Sequence, residues 1–133
     1  MSNAMRLEIV TPERVVFSED VDFVVAPGFD GYLGVLPNHA PLITALEIGE
    51  LKIKQGGQEH KMAISGGFFE VKENKVTVLA DTAEKASEID VNRAMAAKKR
   101  AEELLNRRTA DVDFMRAELA LKRAVTRLKV AGK

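Results

Sequence analysis

The feature that most constrains the fold is a change of hydrophobic period across residues 80–94. Before it, Lys75–Leu79 alternates apolar and polar side chains, as a half-buried β-strand does. After it, apolar residues recur every three or four positions, which is typical of an amphipathic helix. Asp90 lies where a helix N-cap is expected, because its carboxylate can accept hydrogen bonds from N–H groups of the first turn. We therefore predict a β half, a joint that also forms the functional site, and a helical half.

The β half is rich in turn signals. All four prolines and eight of the nine glycines precede residue 68, and they separate short alternating runs. This spacing predicts an antiparallel β-sandwich of about ten strands. Residues 42–46 and 51–54 are assigned to two strands, and residues 59–64 and 68–72 to two more. Glycines at 56 and 57 predict a tight hairpin turn between the second and third of these.

The helical half contains neither Gly nor Pro between Val91 and Val130. The first helix is expected to run from about Val91 to Arg107, and Thr109 is a candidate N-cap for the second. The predicted inward faces are rich in alanine, which permits close approach of two helices; they comprise Ala94, Ala97, Ala101 and Leu104 on the first and Phe114, Ala117, Leu121 and Leu128 on the second. We predict an antiparallel two-helix hairpin. The fold class is therefore α+β.

Composition limits the location and the kinds of site. The chain has 133 residues and no cysteine, so disulfides and thiolate zinc sites are excluded and the cytosolic side is expected. No stretch approaches the roughly 18 apolar residues of a membrane-spanning helix, so any membrane attachment is expected to go through a partner. Residues 1–4 resemble an expression-tag remnant. The expected domains are then a β-sandwich at 5–86 and a helical hairpin at 87–133.

Catalytic and metal sites are not expected. The two histidines, His39 and His60, lie far apart in sequence and are assigned structural roles. The spacings of zinc ligands and of phosphate-binding loops are absent. Gly28, Gly31 and Gly34 lie in a proline-flanked stretch and predict a tightly turning sheet edge rather than a dinucleotide-binding turn.

Four arginines in the helical half are more informative. Residues 84–133 hold 13 Lys and Arg against 8 Asp and Glu, whereas residues 1–83 hold 7 against 12. Arg93 and Arg100 share one face of the first helix, and Arg123 and Arg127 share one face of the second. In an antiparallel hairpin these guanidinium groups can converge on a polyanion such as a phosphorylated ligand.

The surroundings of the four arginines leave more than one explanation open. Glu84 and Asp90, at the mouth of the same site, could accept hydrogen bonds from an adenine amine or ribose hydroxyls. An ordinary solvated basic helix face explains the same pattern of charges. Nucleic-acid binding is disfavoured, because no aromatic residues interleave with the basic ones to stack bases.

Two stretches together resemble one family. Residues 29–42 read FDGYLGVLPNHAPL and residues 63–71 read AISGGFFEV. Both are similar to the epsilon subunit of bacterial F-type ATP synthase, with Gly31, Gly34, His39 and Pro41 at the family's spacing. The order of segments, the length and the closing helical pair also match, from about Met5 to Lys129.

The resemblance implies partners and a location. A ten-stranded sandwich would seat on the gamma subunit and contact the ring of membrane c subunits, at the cytoplasmic face of the bacterial membrane without insertion. The helical hairpin would be mobile, reaching the alpha and beta subunits and inhibiting ATP hydrolysis when extended. The implied partner contacts are Gly31, Tyr32, Leu33 and His39 in the sandwich, and Arg116 and Lys122 on the basic second helix.

The resemblance also implies a ligand. Residues Ile89–Ala94 match the Ile/Leu-Asp-x-x-Arg-Ala motif of family members that bind ATP as a regulatory ligand in the folded-down state. The implied ATP contacts are Glu84, Ile89, Asp90, Arg93, Ala94, Arg100, Arg123 and Arg127. No cofactor is required by this interpretation. A stalk adaptor without ATP sensing remains as an alternative, and a free-standing nucleotide or nucleic-acid module would leave the Gly/Pro edge unexplained.

Overall fold

A computed structural model describes residues 4–107 and 109–133 of the chain. Of the suspected tag remnant, residues 1–3 lie outside the described residues. Eight strands precede two helices; the strands are β1 (Met5–Val10), β2 (Val15–Val21), β3 (Phe23–Gly28), β4 (Gly31–Val35), β5 (Leu42–Gln55), β6 (Gln58–Lys72), β7 (Lys75–Ala80) and β8 (Ala83–Lys85). A short 3-10 turn, Ala86–Glu88, leads into α1 (Val91–Arg107) and α2 (Phe114–Val130).

The strands form a β-sandwich through one continuous path of pairing, β2-β1-β7-β6-β5-β3-β4, with β8 added on β6. Only the β1–β7 pair is parallel among the pairs in the described chain. β4 lies at the end of the path and pairs only with β3, so the Gly/Pro-rich stretch does form a sheet edge. Gly56 and Gly57 have φ angles of 55° and 82°, and they form the expected hairpin turn between β5 and β6.

The strand count is lower than ten because two expected breaks do not end strands. β5 has 14 residues and β6 has 15, and each spans what the sequence suggested were two strands. Gly66 and Gly67 have positive φ angles of 75° and 129°, so they deform β6 without ending it. A Cβ atom on Gly67 would lie 2.1 Å from the carbonyl oxygen of Leu79, so the backbone of β7 approaches too closely for any side chain.

The core lies inside the sandwich and follows the alternation of the strands. In β1, Met5, Leu7 and Ile9 are buried, whereas the intervening Arg6 and Glu8 point outward. The largest buried side chain is Phe69 of β6, which belongs to the same cluster. Each such side chain contributes about 1.5–3 kcal/mol on burial, so the sandwich carries most of the apolar burial of the chain.

The helical hairpin packs through alanines, as the sequence predicted, but Leu104 and Phe114, also assigned to the inward faces, are exposed. Ala94 and Ala101 of α1 and Ala117 and Ala124 of α2 are all buried. α2 is the helix that contacts the sandwich, through β5 and β6. The hairpin is therefore joined to the sandwich by one helix, and α1 stands outside it.

The sequence predicted the N-cap residue correctly for α1 but not for α2. Asp90 caps α1 as expected, since its Oδ1 accepts from the Arg93 N–H at 3.0 Å. The predicted cap of α2 was wrong, because Asp113 rather than Thr109 holds that position and accepts from the Arg116 N–H at 3.0 Å. The Thr109 hydroxyl instead donates to the carboxylate of Asp111.

Candidate functional site

A cavity of about 410 Å³ lies where β8, the joint and both helices meet, within the size range of ligand pockets. Its walls are formed by charged residues and small alanines. The lining residues are Glu84, Glu88, Asp90, Arg93, Ala94, Ala97, Arg100, Ala120, Arg123 and Arg127. The cavity therefore takes residues from the sandwich and from the hairpin together.

Seven of the eight residues suspected of ligand contact line this cavity. The exception is Ile89, whose side chain is buried with Ala63 of β6 and Val130 of α2. Ile89 thus fixes the joint against the sandwich and the end of α2, next to the cavity rather than in it.

One ion pair crosses the cavity from the hairpin to the sandwich. The Arg127 Nε donates to Glu84 Oε1 at 2.5 Å, and both side chains are about one-third exposed. Because Glu84 lies on β8 and Arg127 on α2, this contact holds the helix against the sheet. It also uses one of the four arginines.

The other three guanidinium groups are not neutralised. Arg93, Arg100 and Arg123 have no ion pair or side-chain hydrogen bond with another described residue. Their side chains nevertheless line the same cavity. Glu84, Glu88 and Asp90 line the cavity too but bind other groups, so an anion with several oxygens could pair with the three guanidinium groups.

The three carboxylates that line the cavity already accept hydrogen bonds from other groups of the chain. Asp90 caps α1, and Glu84 binds Arg127. Glu88 accepts from the backbone N–H of Lys85 at 2.9 Å and from the Arg14 guanidinium at 3.0 Å. The Arg14 hydrogen bond and the Lys85 N–H lower the pKa of Glu88, and the same contact with Glu88 raises the pKa of Arg14.

Sequence reasoning missed three residues that line the cavity, and Arg14, which binds one of them. Ala97 and Ala120 were recoverable from spacing, since Ala97 lies four residues after Arg93 and three before Arg100, and Ala120 lies three before Arg123. Their small side chains leave the cavity open. Glu88 and its partner Arg14 carried no sequence signal, because they meet only through the folded sandwich.

The suspected partner-contact residues lie on the surface except Leu33, which is half-buried and packs against the core of the sandwich. Gly31, Tyr32 and Leu33 are in edge strand β4, where Tyr32 is 60% exposed, and His39 is exposed in the loop that follows. On α2, Arg116 is exposed. Lys122 is not a free contact, because its Nζ donates to Glu47 of β5 at 3.3 Å.

A row of apolar residues with exposed side chains crosses the sheet near the C-terminal end of β6, far from the β5–β6 turn. Val10, Leu79, Phe68 and Ala45 are paired in register across four neighbouring strands. Phe68 is 58% exposed and Leu79 is 54% exposed. Contiguous apolar surface of this kind is typical of a protein contact. We call it the apolar row.

Other kinds of site have little support in the described part of the chain. No group of three or more His, Cys, Asp or Glu residues is placed there to hold a metal ion. His60 packs its ring against Phe17 and contacts Gln55, while His39 contacts its neighbouring backbone. Among these residues, no helix combines the length and apolar character needed to cross a bilayer.

Comparison with known proteins gives full-length matches. The family model for the ATP synthase delta/epsilon chain β-sandwich domain matches residues 4–86, and the model for its long α-helix domain matches residues 87–132. The ATP synthase epsilon chain of Pelotomaculum thermopropionicum is 66% identical over 127 residues, covering 96% of this chain and 95% of that one. That of Desulforamulus reducens is 60% identical over 131 residues, covering 98% and 99%.

The same fold occurs in a solved assembly. A chain in the Euglena gracilis mitochondrial ATP synthase structure, which contains OSCP, F1 and the c-ring, superposes with a TM-score of 0.85. The match covers 100% of this chain and 84% of that one, at 24% sequence identity. The sandwich and hairpin therefore keep this arrangement at low sequence similarity.

Proposed function

The chain belongs to the ATP synthase delta/epsilon chain family, and from this membership we propose that it is the non-catalytic epsilon subunit of the central stalk of an F-type ATP synthase. In that role the sandwich binds the gamma subunit and the c-subunit ring. The chain then lies peripherally at the cytoplasmic face of the bacterial membrane. The hairpin acts as a regulatory arm toward the alpha and beta subunits, and ATP is its ligand.

The apolar row supports docking on a partner subunit. A surface that exposes Phe68 and Leu79 costs free energy in water and gains it when a second apolar surface covers it. Edge strand β4 and the loop with His39 supply a second, separate surface for the c-ring. Replacing Phe68 with Ser should weaken retention by gamma, whereas replacing exposed Lys72 on the same strand should not.

The observation that carries the ATP proposal is the cavity with three unneutralised arginines. Guanidinium groups bind phosphate oxygens in bidentate pairs, and Arg93, Arg100 and Arg123 approach one space from two helices. Glu84 and Asp90 each use one carboxylate oxygen within the chain, Oε1 and Oδ1. Their second oxygens supply acceptors for amine or hydroxyl groups of a nucleoside. A triphosphate would thus give partners to three guanidinium groups that have none among the described residues.

The position of the cavity connects ATP to regulation. Its walls exist only while α2 is docked on the sandwich, because Arg123 and Arg127 belong to α2 and Glu84 to β8. ATP that binds only this arrangement stabilises it by RT ln(1 + [ATP]/Kd), about 2.7 kcal/mol at 100 times Kd. ATP would therefore raise the population of the docked hairpin and lower that of the extended, inhibitory form.

A stalk adaptor without ATP sensing is the second candidate. The Arg127–Glu84 and Lys122–Glu47 contacts favour it, because they already join the hairpin to the sandwich with no ligand. In that case the basic residues of α2 would serve protein contacts alone. The two candidates differ in whether ATP binds the isolated chain.

Calorimetric titration of the full chain with ATP decides between them, with ADP and GTP for specificity. Saturable one-to-one binding that is lost in Arg93→Ala and in the Arg123→Ala, Arg127→Ala double variant would support the sensor. Arg116→Ala is the matched control, since Arg116 is exposed on α2 outside the cavity and should bind ATP as the unmodified chain does. Absence of binding up to millimolar ATP would leave the adaptor.

A further inference from the structure

A second charged feature lies on β5, outside the lining of the arginine cavity. Glu50 of β5 is 3% exposed and is the one buried charged residue in the described part of the chain. Neither oxygen of its carboxylate has a hydrogen-bond partner there. Burying an ionised carboxylate without hydrogen bonds is among the most costly arrangements in a folded protein.

The register of the sheet shows which face Glu50 occupies. Glu50 lies directly opposite Ala63 of β6, and opposed residues of an antiparallel pair place their side chains on the same face. Ala63 is buried in a cluster with Ile89 and Val130, against which Ala131 also packs. The face that carries Glu50 is therefore the face on which the C-terminal turn of α2 is docked.

The charges around Glu50 do not fully compensate it. Lys52 Nζ is 3.6 Å and Lys61 Nζ is 4.0 Å from its Oε1, and these side chains are 45% and 42% exposed. Because solvent screens both lysines, each pair offsets only part of the cost of burying the Glu50 charge. Tyr32 contacts only the Glu50 backbone, since its hydroxyl accepts from the Glu50 N–H at 3.3 Å.

The remaining neighbours bring no hydrogen bond either. Beyond Ala63 in the same row lies Glu84 of β8, which is occupied by Arg127 of α2. α2 also carries Lys129 in its last turn, but Lys129 is exposed. Helix C-terminal turns end in carbonyl groups with negative partial charge, so the docked helix adds unfavourable potential over a carboxylate.

We propose that Glu50 is a destabilising element that holds docking of the hairpin near balance. When α2 leaves the sheet, the carboxylate regains water and the penalty is released. When α2 docks, the penalty offsets part of the apolar gain from Val130 and Ile89. This regulation rests on the proposed function, because a hairpin held near balance is one that ATP binding in the neighbouring cavity can redirect.

Hydrogen exchange of the α2 amides in the full chain, without nucleotide, tests the proposal. Glu50→Gln removes the charge and keeps the shape, so α2 amides should exchange about tenfold more slowly. Glu47→Gln is the matched control three residues away on β5. It removes the partner of Lys122, so exchange should be unchanged or up to about threefold faster. Exchange in Glu50→Gln at the original rate or faster would overturn the proposal.

A second variant separates a buried charge from altered packing. Lys52→Met with Lys61→Met leaves the Glu50 charge without its two cations, so α2 should exchange faster. The same two changes in a Glu50→Gln background should have little effect. Equal effects in both backgrounds would overturn the proposal, because the lysines would then act independently of Glu50.

Titration of the same variants with ATP keeps the two proposals distinguishable. If ATP binds only the docked form, the apparent Kd for ATP should be lower in Glu50→Gln. The largest expected decrease equals the factor by which the variant raises the docked fraction. If ATP does not bind any variant, the sensor fails while the exchange result still decides the role of Glu50. If ATP binds and exchange does not respond to Glu50→Gln, the role of Glu50 fails alone.

Discussion

Arg14 in the turn between β1 and β2 donates to the carboxylate of Glu88 in the joint, 74 residues further along the chain, at 3.0 Å. A second contact to the other carboxylate oxygen is 2.9 Å. Glu88 also accepts a hydrogen bond from the Lys85 N–H. Its side chain therefore makes one contact within the joint and one with the sandwich. Asp90, which caps α1, follows two residues later, so this contact holds the joint next to the start of α1.

The Arg14 contact should be visible as a titration shift. Replacing Arg14 with Met removes the largest cause of the lowered pKa of Glu88, so that pKa should rise toward its ordinary value. NMR titration of the glutamate side-chain carbons measures it. Glu8 is the internal control, because its lowered pKa comes from Lys75 and should not change.

The sign of the accompanying stability change follows from the same shift. A carboxyl whose folded pKa lies below its unfolded value stabilises the fold above the unfolded pKa, and this contribution disappears as the pH falls through the folded pKa. Acidification through that window should therefore lower the free energy of unfolding less in Arg14→Met than in the original chain. An identical acid dependence would show that the contact contributes nothing.

Gly67→Ala should be severely destabilising. Its Cβ would meet the backbone carbonyl of Leu79 at 2.1 Å, and the residue has a φ of 129°. Since neither backbone can move without breaking the β6–β7 pairing, we expect a loss of more than about 2 kcal/mol in the free energy of unfolding. Urea denaturation measures it. Gly56→Asn, in an open turn at φ 55°, should change stability by less than about 0.5 kcal/mol.

Asp113→Ala should loosen the start of α2. Loss of the carboxylate that accepts the Arg116 N–H is expected to cost about 1 kcal/mol. Faster hydrogen exchange in the first turn of α2 is the measurement. Asp111→Ala is the nearby control, because Asp111 accepts from the Thr109 hydroxyl outside the helix. If both variants exchanged alike, the cap would not be at Asp113.

Ala101→Leu should force the two helices apart. Ala101 is 2% exposed in α1, and added methyl groups in a packed interface cost about 1–3 kcal/mol. Thermal unfolding followed by circular dichroism should show the helical signal lost at a lower temperature. Ala96→Leu, on the exposed side of the same helix, should leave that temperature nearly unchanged.

The sequence was sufficient where structure is set by local pattern. The start of α1 at Val91 follows from the Asp90 cap, which acts within one turn, and its uninterrupted course to Arg107 agrees with the absence of Gly and Pro. The convergence of the four arginines followed from helical spacing once an antiparallel hairpin was assumed. Strand alternation likewise identified the inward side chains of β1.

The sequence was insufficient where distant backbone decides the outcome. Gly49 and the Gly66–Gly67 pair have the composition of loops, yet β5 and β6 continue through them because neighbouring strands supply their hydrogen bonds. Thr109 and Asp113 are both acceptable caps, and local chemistry alone could not choose between them. Alternation predicts the face of Glu50, but its burial depends on where α2 docks.

The parallel pairing of β1 with β7 has a consequence for biosynthesis. Arg6 is opposite Lys75 and Val10 is opposite Leu79, so the first strand completes its pairing only after the seventh has been made. The sheet thus depends on contacts between residues that are far apart in sequence, and such contacts form slowly during folding. β8, the joint and both helices follow β7 in the chain, so they emerge onto a sandwich whose first seven strands are already available. This order predicts that the hairpin docks last, on a sheet that has already formed.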